Sequence, residues 1–267
     1  MTNQTRDNVS ALVSRMRDRK PLVHCITNYV AMNISANVLL AIGASPAMIH
    51  APEEAGEFAS IADALLVNIG TVSPHWFNGM SVAAKAANAA GKPWVFDPVA
   101  HFATAYRREA TAQLMTLAPT IIRGNASEII ALAGASGGGR GVDSGDSVEQ
   151  AKEAARTLAR RYCTVISVSG EHDFVTDGKR EAIIIGGSAW MPSVTALGCS
   201  LSATTAAFAA IAEKNFFCAA IAALACFAEA GEKAAERAEG AGTFAIAFLD
   251  ALSTLDSSAP AQRIASS

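Results

Sequence analysis

The chain has 267 residues and a formal net charge of −3, with 51% hydrophobic but only 17% charged residues. This length and composition suffice for one large core, and no linker divides the chain, so we expect a single domain over residues 1–267. A weakly acidic chain without a long basic run is not typical of nucleic-acid-binding proteins.

The N-terminal segment, the most apolar stretch and the cysteines together favour a cytoplasmic protein. The segment 1–21 has no apolar signal-peptide core, and its apolar residues fall on one face of a predicted helix. The most apolar stretch, 216–230, is shorter than the roughly 20 residues of a membrane span, so we expect a buried helix and no membrane partner. The five cysteines lack metal-ligand spacing, which favours reduced thiols and a cytoplasmic protein.

Short apolar runs alternate with longer helical patterns along the rest of the chain. The predicted strands are 21–26, 46–50, 64–70, 93–97, 120–124 and 163–170, followed by a hairpin over 173–187. The predicted helices are 29–42, 75–90, 105–117, 126–134, 147–160, 198–212, 215–231 and 241–253. Strands separated by helices predict an α/β fold, with a mainly parallel sheet covered by helices on both faces. The Gly-rich stretch 134–147 is predicted to be a flexible loop.

Polar residues follow most of the predicted strands. Each of them alone can cap a helix or make a turn, but ligands of doubly wound sheets bind beyond the carboxyl ends of the strands. Their concentration there therefore predicts a site. The residues are Thr27, Asn28, Asn68, Asp97, Arg123, Asn125, Ser169 and Gly170.

The stretch RGNASEI, residues 123–129, combines several groups that suit phosphoryl transfer. Asn125 and Glu128 have the spacing of a capping box, which by itself accounts for both residues. Arg123, at a strand end before a helix N-terminus, suits a nucleotide phosphate. Glu128 can hold Mg²⁺ directly or through water, and Asp97 is either a turn residue or a second carboxylate for metal or substrate. Together they predict a phosphoryl-transfer site.

Cys199 opens a predicted helix within SVTALGCSLSATTAAFAA, residues 193–210. One interpretation is a small buried hydrophobic residue, since cysteine is among the most buried residue types. The other is a functional thiol, because a helix N-terminus binds anions and lowers the pKa of a thiol. A cysteine hydrolase that pairs Cys199 with His24, His50 or His101 is the alternative from another class, but no nucleophile-elbow pattern surrounds the cysteine.

Six motifs follow one another along the chain: PLVHCITNYVAMNISANVLLAIGASPAM (21–48), NIGT (68–71), DPVA (97–100), IRGNASEI (122–129), GRGVDS (139–144) and GCSLSA (198–203). In sequence and order they resemble the motifs of the hydroxyethylthiazole kinases, and the resemblance runs from about residue 10 to 253. It implies a three-layer ribokinase-like fold and ATP-dependent phosphorylation of the primary alcohol of 4-methyl-5-(2-hydroxyethyl)thiazole in thiamine salvage. It also implies Mg²⁺ and a homotrimer with active sites between subunits.

The resemblance also implies the residues that bind the thiazole. Met48 matches the position that lines the thiazole pocket, and Asn28 matches a residue near the substrate. Ala196 and Gly198 fall in the segment that leads into the anion-binding helix, and we assign them to substrate binding. Cys199 matches the active-site cysteine, at the position held by the aspartate base of related sugar kinases.

On the cofactor side, the resemblance implies that Arg123 contacts the nucleotide phosphates and that Ser169 makes an ATP contact where relatives commonly have threonine. We assign Asn125 to the same nucleotide site. Asp97 and Glu128 match the acidic residues around Mg²⁺.

The chain departs from the family pattern at two places. Ala196 replaces a glycine of the T-G-x-G-C motif, next to a larger Leu197, and His101 and Phe102 replace a Gly-containing turn after DPV. If position 196 needs a positive φ, alanine costs about 1 kcal/mol or more. These changes keep two alternatives open: a sister kinase for hydroxymethylpyrimidine or pyridoxal, and a weakly active thiazole-binding protein.

Overall fold

A single sheet runs through the computed structural model, which describes residues 3–134 and 148–265. Its strands are β1 (Leu22–Ile26), β2 (Ser45–Ala47), β3 (Ala64–Asn68), β4 (Trp94–Asp97), β5 (Ile121–Asn125), β6 (Val165–Ser169), β7 (Asp173–Thr176) and β8 (Glu181–Ile184). They lie in the order β2-β1-β3-β4-β5-β6-β7-β8. The pairs from β2 to β6 are parallel, and β6–β7 and β7–β8 are antiparallel. The predicted, mainly parallel sheet is therefore confirmed.

Helices cover both faces of this sheet. They are α1 (Asn3–Arg19), α2 (Met32–Ile42), α3 (Pro52–Ile61), α4 (Pro74–Ala89), α5 (Ala105–Met115), α6 (Ala126–Leu132), α7 (Val148–Tyr162), α8 (Leu197–Ile211), α9 (Phe216–Ala235) and α10 (Ala241–Ser253). Two short 3₁₀ helices, Met191–Ser193 and Pro260–Arg263, precede α8 and follow α10.

Alternation along the strands divides the apolar side chains between two cores. Leu66, Val95 and Ile121 point to the core formed with α1, α2, α8, α9 and α10. Phe96 and Ile122 point to the opposite core, formed with α3 to α7. Because neighbouring residues of a strand face opposite sides, a sheet buried on both faces has continuous apolar runs. The three-layer α/β fold expected from the sequence is confirmed.

The apolar stretch at 216–230 forms most of α9, which lies in the core. Alanines dominate its buried face, so α9 can pack closely against α8 and the sheet. Among the described residues, no helix combines the length and the apolarity needed to cross a membrane.

Helix α3 differs from the sequence prediction, and most of the predicted Gly-rich loop lies outside the described residues. Helix α3 was not predicted, because its buried residues are only Ala55 and Ala59. Its start does carry a signal, since Pro52 occupies the first turn together with two glutamates. Residues 135–147, which hold most of the predicted Gly-rich loop and the GRGVDS motif, lie outside the described residues.

Candidate active site

The carboxyl ends of six adjacent parallel strands bring the predicted site residues to one edge of the sheet. Across this edge, they follow the strand order β2, β1, β3, β4, β5, β6, because parallel strands end on the same side. In that order, the residues are Met48, Asn28, Asn68, Asp97, Arg123 with Asn125, and Ser169.

A chain of buried amide hydrogen bonds crosses the middle of the site. Asn28 Nδ2 donates to Asn68 Oδ1 at 2.9 Å, and Asn68 Nδ2 donates to Asp97 Oδ2 at 2.8 Å. Ser202, one turn into α8, donates its hydroxyl to the same Asp97 oxygen at 2.7 Å. The four side chains are buried, so each lost bond would leave a costly unpaired group. Sequence reasoning assigned no role to Ser202.

Cys199 lies at the end of this chain, where Asn28 Nδ2 donates to its Sγ at 3.3 Å. Burial, supported by the negative charge of Asp97, raises the pKa of the thiol to about 11. The amides of Asn28 and Asn68 and the more distant Arg123 oppose that rise. The expectation that a helix N-terminus lowers the pKa of this thiol is therefore wrong, because burial disfavours the charged thiolate.

The backbone at the start of α8 adopts an unusual conformation. Ala196 has φ +60°, in the left-handed region, so the strain expected for alanine at this position is confirmed. At Gly198, an added Cβ would lie 3.0 Å from Arg123 Nη1. Glycine therefore lets the guanidinium lie directly against the first turn of the helix.

Arg123 occupies the space between that turn and the next strand. Its Nη2 donates to the Ser169 hydroxyl, and its Nη1 lies 4.0 Å from Asp97 Oδ2. The side chain is 11% exposed, and within the described part of the chain its Nε has no hydrogen-bond partner. A buried guanidinium with unused donors suits an incoming anion.

Asp97 is the most perturbed carboxyl group of the site. Burial raises the pKa of Asp97 to about 7, and the nearby Glu128 adds to the rise. Arg123 and the hydrogen bonds from Ser202 and Asn68 act in the opposite direction. Its Oδ1 is buried and finds no hydrogen-bond partner among residues 3–134 and 148–265. A carboxylate oxygen of this kind fits a divalent cation.

Glu128 makes the capping box that the sequence predicted. Asn125 Oδ1 accepts from the Glu128 N–H, and Glu128 Oε2 accepts from the Asn125 N–H, both at 2.9 Å. The other oxygen, Oε1, accepts from the Ala100 N–H at 2.9 Å. Both carboxylate oxygens thus already have a backbone donor, and only their remaining lone pairs can face a cation, directly or through water.

The two outer strands complete the edge. Met48, after β2, is half-buried and packs against the core that contains α8. At the other end, Ser169 and Gly170 line a groove together with Ala126 and Phe174. The edge of the sheet thus runs from the apolar side chain of Met48 to a groove beside Ser169.

The histidines do not support a cysteine hydrolase. His24 Nε2 lies 2.7 Å from the Ile49 carbonyl, and His101 Nε2 lies 3.0 Å from the Glu128 carbonyl. His50 packs against the ring of Trp76. In the part of the chain that the structure describes, none of the hydrogen bonds of the Cys199 thiol involves a histidine.

Comparisons with known proteins show the family. The family model of the hydroxyethylthiazole kinase family matches residues 13–258. A hydroxyethylthiazole kinase from Rhizobium johnstonii is 64% identical over 253 residues, which are 95% of this chain and 95% of that protein.

Solved structures give the same answer for the fold. The structure of a hydroxyethylthiazole kinase from Pyrococcus horikoshii OT3 has a TM-score of 0.85 and 39% identity, and the match covers 93% of each chain. A pyridoxal kinase from Staphylococcus aureus, in complex with AMP-PCP and pyridoxal, has a TM-score of 0.59 at 17% identity, covering 80% of this chain and 88% of that one. The latter shares the ribokinase-like fold alone.

Proposed function

Because the chain belongs to the hydroxyethylthiazole kinase family and is a kinase, we propose that its strand-end site transfers the γ-phosphoryl group of ATP to the primary alcohol of 4-methyl-5-(2-hydroxyethyl)thiazole, in thiamine salvage. The observation that carries this proposal is the buried Asn28–Asn68–Asp97 chain beside Arg123 at the start of α8. This arrangement places neutral hydrogen-bond donors, which suit an alcohol, beside charged groups, which suit a phosphate.

The site divides into two halves. The acceptor half consists of Met48, Asn28, Ala196, Gly198 and Cys199, and it holds the thiazole alcohol. Met48 offers apolar contact to the ring, while the Asn28 amide and the Cys199 thiol present polar groups to the hydroxyl. Ala196, which has a left-handed backbone, and Gly198, in the first turn of α8, shape the backbone that faces the reacting oxygen.

The nucleotide half consists of Arg123, Asn125 and Ser169. The Arg123 guanidinium binds the phosphates, and Ser169 holds that guanidinium in place through its hydroxyl. Asn125 caps the helix whose N-terminus faces the phosphates. The first N–H groups of α8 stabilise the charge of the moving phosphoryl group.

Asp97 and Glu128 would hold Mg²⁺ between the two halves. Mg²⁺ is usually held by one or two carboxylates together with substrate phosphates, and the unpartnered Asp97 Oδ1 fits that arrangement. When bound, the ion neutralises charge on the transferring phosphoryl group. A cation beside Asp97 also favours the ionised form of a carboxyl group whose pKa burial raises.

The Cys199 thiol does not act as a general base at neutral pH in this setting. With a pKa of about 11, it is protonated at neutral pH and can donate as well as accept a hydrogen bond. We propose that it orients the alcohol through these hydrogen bonds, while the hydroxyl proton passes to an oxygen of the transferring phosphoryl group as the oxygen–phosphorus bond to the alcohol forms and the bond to ADP breaks. Phosphoryl transfer depends on positioning and charge stabilisation more than on a strong base.

A homotrimer with sites between subunits, in the cytoplasm, completes the proposal. Tyr29 and Val30 directly follow Asn28, and they are 66% and 59% exposed. Large apolar side chains exposed beside a site suit a subunit interface. Light scattering on the purified protein measures the assembly, and a monomeric mass would contradict the trimer.

A competition between alcohols tests the substrate. The enzyme is incubated with ATP, Mg²⁺ and equal concentrations of the thiazole alcohol, hydroxymethylpyrimidine and pyridoxal, and products are read by mass spectrometry. We expect thiazole phosphate as the main product, and at least about 100-fold less of it from an Asp97→Asn preparation that controls for contaminating kinases. Preferred phosphorylation of another alcohol would contradict the substrate, and ATP hydrolysis alone would favour a weakly active binder.

A further inference from the structure

Arg107, in α5, holds two loops of the site through backbone carbonyl groups. Its Nη1 donates to the carbonyl oxygens of Ile69 and Val99, both at 2.9 Å, and its Nη2 donates to that of Gly70 at 2.6 Å. Ile69 and Gly70 follow β3, whereas Val99 follows β4. One guanidinium therefore links the turns after two neighbouring strands.

The turn after β3 sets the position of the acceptor amides. The Gly70 N–H donates to Asn68 Oδ1 at 2.9 Å, and a Cβ on Gly70 would lie only 2.6 Å from Asn28 Nδ2. Thr71 Oγ1 accepts from the Tyr29 N–H at 3.1 Å. A shift of this turn would therefore move the amides that contact Cys199 and Asp97.

The turn after β4 belongs to the carboxylate side. Val99 lies two residues after Asp97, and the next residue, Ala100, donates its N–H to Glu128 Oε1. The Ile69 N–H also donates to the Asp97 carbonyl at 3.3 Å, so the two turns already meet at one point. Arg107 adds a second connection, nearer to the tips of the turns.

We propose that Arg107 is a positioning residue for phosphoryl transfer, which sets the distance between the acceptor amides and the carboxylates. This inference rests on the proposed function of the same site. The fixed fork of a guanidinium can hold carbonyl oxygens of two turns at once, whereas a lysine ammonium is a single point on a flexible stem. Misplacing reacting groups by about 1 Å can cost on the order of 100-fold in rate.

Arg107→Met and Arg107→Lys test this role, with Arg108→Met as the matched control. Arg108 is the next residue of the same helix and is exposed, and its guanidinium donates to the Phe102 carbonyl rather than to Ile69, Gly70 or Val99. We expect Arg107→Met to lower kcat about 10- to 100-fold while KM for ATP stays within about twofold, since ATP binds through the other half. Arg107→Lys should recover part of the rate, and Arg108→Met should match the wild type.

All rates are measured well below the melting temperature of each variant, which separates positioning from stability. A lowered melting temperature with kcat within about twofold of the wild type would overturn the proposal, as would equal losses in Arg107→Met and Arg108→Met. If Arg107→Met does not fold, Arg107→Lys decides by the same criteria. If the wild type prefers another alcohol, the substrate assignment fails, and the variants are compared with that alcohol instead.

A readout without turnover uses the thiols. Arg107→Met should loosen the Asn28 contact and speed alkylation of Cys199, whereas the exposed Cys163 after α7 serves as the control in the same sample. Peptide mass spectrometry follows both cysteines. A Cys199 rate unchanged relative to Cys163 would mean that the acceptor amides do not depend on Arg107.

Discussion

The acceptor and nucleotide halves of the site differ in how completely their polar groups are paired. In the acceptor half, Asn28 and Cys199 belong to a continuous chain of neutral hydrogen bonds that passes through Asn68 and ends on Asp97. In the nucleotide half, Arg123 donates to one hydroxyl, and among the described residues its Nε has no partner. The polar groups of the acceptor half are thus already paired, whereas the guanidinium of the nucleotide half keeps donors that a ligand can use.

If the site works as proposed, this difference predicts how each half contributes to catalysis. Buried neutral groups that are fully bonded keep one geometry, and such preorganisation lowers the barrier to the chemical step. A guanidinium with unused donors gains most when a phosphate arrives, so it contributes mainly to binding. Changes in the acceptor half should therefore alter kcat, and changes in the nucleotide half should alter the affinity for ATP.

Asp97→Asn, at the border of the two halves, should have the largest effect. An asparagine oxygen can still accept from Ser202 and Asn68, but the charge is lost. We expect kcat to fall about 10²- to 10³-fold, as for removal of one strong electrostatic contact. The melting temperature at pH 8 should not fall, because the burial that raises the pKa of Asp97 penalises its charged form.

The control for Asp97→Asn is Asp63→Asn, at the opposite end of β3, where the carboxylate accepts from the Leu22 N–H. This variant should keep the wild-type rate. An Asp97→Asn enzyme that retains kcat within about tenfold would show that the carboxylate charge is not needed for the chemical step.

Arg123→Ala should weaken ATP binding while the affinity for the thiazole stays the same. A hydrogen bond to a charged group contributes about 1.5–3 kcal/mol, which corresponds to roughly 10- to 150-fold in Kd. Calorimetry with ATP measures the change. Arg15→Ala is the control, because Arg15 pairs with Glu213 on the surface. An unchanged Kd for ATP would remove Arg123 from the nucleotide half.

The position of these residues at one edge of the sheet was predictable from the sequence. Asp97 and Arg123 directly end apolar runs, and strands that alternate with helices must end on the same side. The capping box of Asn125 and Glu128 was predictable for a similar reason, since it depends on local spacing alone.

Contacts between distant segments were not predictable. Ser202 reaches Asp97 across 105 positions of the chain, and Arg107 reaches the β3 turn across 38 and 37. Both depend on where a helix lies over the sheet, which no local pattern encodes. The pKa of Cys199 was wrongly expected for the same reason, because the helix start is visible in the sequence and the burial is not.

Cys199→Ser and Cys199→Asp examine the acceptor half. We expect serine to lower the single-turnover rate, but by less than the about 10²- to 10⁴-fold of a full general base, because the thiol is already protonated. Aspartate, which restores the carboxylate of related sugar kinases, should retain or exceed the wild-type rate. Circular dichroism controls for folding. Equal rates for the wild type and Cys199→Ser would mean that the helix N-terminus alone, and not the thiol, promotes phosphoryl transfer.

Asp173 Oδ1 accepts from the Gly170 N–H at 3.0 Å, directly after Ser169 of the nucleotide half, and Asp173→Asn tests the effect of its charge. Burial raises the pKa of Asp173 to about 6, against the Gly170 N–H, Arg123 and His172, which favour the ionised form. The folded state therefore binds this proton more tightly than the unfolded state, and the free energy of unfolding falls as the pH rises from about 4 to 6. The variant should show a smaller fall in urea unfolding, and an identical profile would contradict the shift.

Ala196→Gly should have the smallest effect, and it separates strain from function. Ala196 has φ +60°, a conformation that costs an L-residue roughly 1–2 kcal/mol. Glycine removes that strain but has more freedom in the unfolded chain, so we expect a net gain of about 1 kcal/mol or less in the free energy of unfolding.

Ala118→Gly is the matched control, since Ala118 is exposed with φ +53°. Both variants should gain similar stability in urea unfolding, because both relieve the same kind of strain. Only Ala196→Gly should change kcat/KM for the thiazole, and it should raise it, because the Ala196 methyl group lies next to the start of α8. A lower kcat/KM would mean that the strained alanine helps to fix the acceptor half, and an equal change in both variants would assign position 196 a role in stability alone.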